Sequence, residues 1–163
     1  MAATITLEMV DEVWQEFLAD TPEQMGGRVE RFRRMQPVLA GYVRAVEEGA
    51  FSDDDRGEMT FYTVWAHEVF LRAGAARREI DEETIEAMLV ENEKLLAAVE
   101  NAPASDVMST AMEWTETYRH MPMLGAVMAQ AMAGDLEETR RVDDFLGLLT
   151  LHMKTVIDCL ALE

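Results

Sequence analysis

A single cysteine, Cys159, leaves this 163-residue chain unable to form an internal disulfide. A reducing, cytoplasmic setting is therefore the default expectation. The residues before Glu8 carry no basic cluster and no long apolar run, so no signal peptide is expected. The longest low-charge stretch, Met121 to Ala133, falls short of the roughly 20 residues a spanning helix needs. Positive charge is scarce: 14 Lys and Arg face 32 Asp and Glu, a formal net charge of −18. Nucleic acid and anionic membrane surfaces both require a local excess of Lys and Arg, so neither is an expected partner. Strand signals are missing too, because alternating apolar and polar residues bounded by turn residues do not occur.

What the chain does have is helical periodicity along nearly its whole length. A first segment from Thr6 carries Leu7, Val10, Trp14, Phe17 and Leu18 as one stripe, with Glu8, Glu12 and Glu16 opposite. Thr21-Pro22-Glu23-Gln24 reads as a capping box with proline in the first turn. Gly26-Gly27 argues that the continuous helix starts only after it, since each glycine costs about 1 kcal/mol inside a helix. Val29, Phe32, Leu39, Val43 and Val46 keep phase across Pro37, which predicts a kink. Ser52 caps a central helix over about 53–73 that is apolar around most of its circumference. Asp81 opens a helix running to about Asn101, with Ile85, Met88, Leu89, Leu95, Leu96 and Val99 facing inward. Another starts near Ser105 or Asp106, a second kink falls near Pro122, and Asp135-Leu136-Glu137-Glu138 opens the last helix. The expectation is an all-α fold: a compact up-and-down bundle of six to seven helices in one domain, 1–163.

Four groups of residues suggest chemistry. Glu116 and His120, four apart, could share a helical face as metal ligands, with His67 or His152 completing the set. The spacing is not the Glu-x-x-His of di-iron bundles and it is not repeated. Arg28, Arg31 and Arg34 cluster beside Gly26-Gly27, as an anion site would, although the pattern is not a P-loop; pairing with the acidic face of the first helix is the simpler reading. Trp14, Trp65 and Trp114 could enclose a small molecule, or anchor the core. Thirteen methionines are present, six of them from Met108 to Met132. Methionine fills core gaps, and it also lines adaptable binding surfaces.

No nucleophile stands in a catalytic setting; Cys159 sits on an apolar stripe, where a buried inert thiol is expected. Asp53, Asp55 and Gly57 fail as an EF-hand loop because the sixth position is Glu58. The function these features favour is a non-catalytic helical interaction module without a cofactor. It would bind a partner helix, or a second copy as a homodimer, through Met108, Met112, Met121, Met123, Met128 and Met132. The alternatives are the metal-binding bundle and the tryptophan-lined pocket.

Overall fold

The structure, a computed structural model, describes residues 3–135 and 142–162. The described residues form eight helices and no strand: α1 (Leu7–Ala19), α2 (Pro22–Met35), α3 (Pro37–Ala45), α4 (Asp53–Arg72), α5 (Glu82–Glu100), α6 (Val107–Thr117), α7 (Met121–Asp135) and α8 (Val142–Leu160). Of Asp135-Leu136-Glu137-Glu138, expected to open the last helix, Asp135 instead ends α7, and the other three lie outside the described residues.

α4 is the centre of the fold. The Ser52 hydroxyl accepts from Asp55 N while the Asp55 carboxylate accepts from Ser52 N, a closed capping box. Tyr62 through Phe70 are all buried, a run that leaves no face for water. Helices α1, α2, α3 and α8 pack around it. The Trp65 indole N–H donates to the Val10 carbonyl at 3.1 Å, and the Trp14 ring lies 4.5 Å from the Trp65 ring. These tie α1 to α4 by one directed bond and one aromatic contact. On α1 the buried residues are Val10, Val13 and Phe17, with Trp14 half-buried. Leu7 and Leu18, expected in the stripe, are 66% and 63% exposed. Leu7 is the first residue of α1, and Leu18 follows Phe17, which is buried against Phe61 of α4, so Leu18 is turned off the covered face.

The count of eight exceeds the expected six to seven because Pro37 is a break, not a kink. A residue before proline is pushed out of the helical region, and Gln36 sits at φ −133°, ψ 62°. α2 ends there and α3 starts afresh. Pro122, expected as a second kink, sits instead in the first turn of α7, where its missing N–H costs nothing. The Gly26-Gly27 pair lies inside α2, since the capping box of Thr21 and Gln24 closes fully ahead of it.

The break at Gln36 has a structural use. Its side chain is fully buried, and its amide donates to the Ala76 and Arg78 carbonyls at 3.1 and 2.8 Å. Its carbonyl oxygen accepts from Ile80 N at 3.0 Å. One side chain thus satisfies three backbone groups of the segment joining α4 to α5, where Gly74 and Ala76 adopt φ of 86° and 57°. Gln36→Leu keeps the volume and removes all three bonds. We expect it to cost about 2–4 kcal/mol in urea unfolding. A loss under about 0.5 kcal/mol, the size of an ordinary surface substitution, would show that water replaces the amide.

Candidate recognition site

α6 is the least integrated helix. None of its residues is buried, and Asp106 makes no side-chain cap at its start. It packs mainly on α5. Val107, Thr110, Ala111, Trp114 and Thr115 turn inward and are half-buried. Met108 and Met112, one turn apart, are 72% and 54% exposed. Helix α6 carries Glu113 and Glu116, both exposed, and no basic residue.

Between α5, α6 and α8 lies a partly open cavity of about 150 Å³. Leu95, Leu96 and Val99 line it from α5, Ala111 and Trp114 from α6, and Leu151 from α8; Asn92, Thr150 and Lys154 complete the wall. The three polar residues are committed elsewhere. Lys154 Nζ donates to Asn92 Oδ1 and Asp158 Oδ2, both at 2.7 Å, and stands 4.6 Å from the centre of the Tyr118 ring. Asn92 Nδ2 donates to Thr155 Oγ1 and Asp158 Oδ2 at 3.1 Å. Tyr118 Oη donates to Asp158 Oδ1 at 2.8 Å, and its ring stacks on Trp114. Burial, then the Asp158 charge, pushes the Tyr118 phenol upward, so it stays a donor. The Thr150 hydroxyl donates to the Leu146 carbonyl at 2.6 Å.

This network was missed in the sequence. Its signals were present: Lys154 and Asp158 are four apart, and Asn92 interrupts the apolar stripe of α5.

The six methionines of the sequence reading do not form one surface. Met108 and Met112 are exposed on α6, and Met132 is 54% exposed on α7. Met121 and Met128 are half-buried against the core, and Met123 is wholly inside it. Of the tryptophans, Trp65 lies in the core with the half-buried Trp14 tilted against it, and only Trp114 lines the cavity.

The metal ligands do not assemble. Glu116 is exposed on α6, whereas His120 is buried beyond its end, against Phe70 and Tyr118. The Tyr118 break between them removes the shared helical face. The His120 carbonyl instead accepts from Met123 N and Leu124 N at the start of α7. His152 belongs to another group: Nε2 lies 2.9 Å from Glu47 Oε1, and Nδ1 lies 2.5 Å from Tyr42 Oη. Those partners fit a neutral ring donating to Glu47 and accepting from Tyr42. Among the described residues, no three His, Cys, Asp or Glu side chains converge as ligands.

The arginines face carboxylates. Arg28 is bidentate to Asp20 at 2.5 and 3.2 Å and lies 3.7 Å from Glu16. Arg31 pairs with Glu68, which Arg28 also approaches at 3.6 Å. Arg72 holds Glu16 at 2.8 Å. Arg34 is exposed. An entering anion would have to displace Asp20 and Glu68. Glu68 was not anticipated as a partner, because an acid inside an otherwise apolar helix gives no sign of which cations will reach it.

Burial also shifts the ionisation of Cys159 and His67. Burial, with Asp158 nearby, pushes the Cys159 thiol up to about 12, so the thiolate does not form near neutrality. His67 is fully buried against Phe32, and neither ring nitrogen has a hydrogen-bond partner. Burial, assisted by Arg31, lowers its pKa to about 4.

Scans against protein-family models, curated proteins and solved structures returned no match to this chain.

Two predictions follow from these groups. Lys154→Met leaves the Asp158 carboxylate uncompensated in a mostly buried site, and is expected to cost about 2–4 kcal/mol. The double variant Lys154→Met/Asp158→Leu should cost less than the sum of the singles, since both charges leave together. Strict additivity in urea unfolding would mean that the two groups do not interact. For His67, the unfolded ring takes up its proton near 6.5 and the folded ring only near 4. As pH falls through that window the unfolded state binds the extra proton, so stability drops, by about 3 kcal/mol in all. His67→Leu should flatten this part of the stability–pH curve. Identical curves for the two proteins, or a His67 NMR titration centred near 6.5, would contradict the buried neutral ring.

Proposed function

We propose that this protein is a non-catalytic helical interaction module that recognises a partner helix through α6. The observation that carries the reading is the pair Met108 and Met112, exposed one turn apart on a helix with no buried residue. Such a pair is the i, i+4 anchor pattern of helix-in-groove recognition, and methionine adapts to varied surfaces at low cost. Glu113 and Glu116 flank it, within a chain of net charge −18. A partner with an apolar stripe and basic flanks is complementary to that surface. A second copy would bring like charges together, which makes a basic partner the better fit than a homodimer.

Affinity capture from the native host, paired with sedimentation velocity, tests the proposal. The wild type should retain a basic helical partner. Met108→Glu/Met112→Glu should lose it while its unfolding midpoint is unchanged, because both side chains are solvent-facing. Retention of the same partner by the double variant would place recognition elsewhere. A strict monomer that captures no protein would end the proposal.

A further inference from the structure

We infer that the cavity between α5, α6 and α8 is a binding site for a small, uncharged, largely apolar molecule of about one aromatic ring. The size sets the first limit. At about 150 Å³ it is below the roughly 300 Å³ of drug-sized pockets, and equals cavities that admit benzene. The wall sets the second. Leu95, Leu96, Val99, Ala111, Trp114 and Leu151 present carbon. The donors of the polar members are already engaged: Lys154 is held by Asn92, Asp158 and the Tyr118 ring, Asn92 donates to Thr155 and Asp158, and Thr150 donates to Leu146 O. A carboxylate or phosphate on the ligand would be desolvated near Asp158 and would have to share Lys154, the cation that Asp158 already holds. A ligand hydroxyl would find no free donor in the wall and would have the Thr150 oxygen as its acceptor.

Entry is built into the same corner. The outer wall is α6, which buries no residue and packs mainly on α5. A helix of 11 residues held so lightly opens at little cost compared with the buried α4. The Trp114 ring is braced from behind by its stack on Tyr118, so the aromatic side of the site keeps its shape when the cavity is empty. This inference does not depend on the partner proposal, which concerns the opposite, solvent-facing flank of α6.

Toluene and benzoate, which share a ring and differ in charge, are the probes. Toluene titrated into the full chain should give saturable one-to-one methyl shifts. Intermolecular NOEs should run from it to Leu96, Val99 and Leu151 methyls and to the Trp114 ring. Benzoate should bind at least roughly tenfold more weakly, because Lys154 is already paired with Asp158. Ala111→Phe fills the cavity from α6 and should abolish toluene binding; if that variant does not fold, the wild-type NOE map decides alone. Non-saturating shifts, NOEs to a different set of residues, or equal binding of benzoate would overturn the inference.

Discussion

The complete burial of α4 is the constraint on which the rest of the structure depends. A helix with Tyr62 through Phe70 inside must be enclosed on every side, so its neighbours are required, not optional. α1, α2, α3 and α8 supply that enclosure. Their own sequences reflect the division of labour. Each of α1 and α3 buries a short set of residues against α4, and α2 buries only Phe32. Because the core is already closed by these elements, α5 lies further out, and α6 lies outside α5. The loosely held corner of the protein is a consequence of where its centre is.

Burial of this extent brings polar groups inside, and the fold answers most of them with specific bonds. Gln36 satisfies three backbone groups of the segment after α4. Asp158 is met by Lys154, Asn92 and Tyr118, and Glu68 by Arg31 and Arg28. Among the described residues Glu68 Oε1 and His120 Nδ1 are left without a hydrogen-bond partner, and His67 goes furthest. It has no partner on either nitrogen, so the ring remains neutral and acts as an aromatic wedge beside Phe32. The same accounting explains the character of the cavity. Of its polar wall groups, Asn92 and Lys154 are held in the Asp158 network and the Thr150 hydroxyl donates to the Leu146 carbonyl, so most of what remains for a visitor is carbon.

α6 therefore presents two unlike faces. Its inner flank closes an apolar cavity around Trp114, and its outer flank exposes Met108 and Met112 between carboxylates. Apolar surface left on a helix end, as at Leu7 or Leu18, is common and needs no explanation. On α6 it coincides with weak tertiary attachment and an adjoining cavity, and that coincidence singles the corner out. The Tyr42–His152–Glu47 group, by contrast, joins residues far apart in sequence and pins Glu47, whose backbone has φ of 51°. It serves the turn between α3 and α4.

The sequence by itself determined the helices and most of their starts. Caps and apolar periodicity are local, so Thr6, Thr21, Ser52 and Asp81 could be identified as N-caps, and α4 as the central helix, from neighbouring residues alone. Of the expected pairing between the arginine cluster and the acidic face of the first helix, the Arg28–Glu16 contact is present, while Arg31 turns to Glu68 and Arg72 of α4 holds Glu16. The tertiary structure alone decided which side of each helix meets protein. Periodicity gives a stripe but not which of its residues are covered: Leu7 and Leu18 emerged and Met123 went inside. It also decided that Pro37 breaks the chain, because the bonds that hold Gln36 come from residues 40 or more positions away. The cavity and its closed polar floor belong to the same category. They exist only where Asn92, Tyr118 and Asp158, from three separate segments, converge, and no local pattern encodes that convergence.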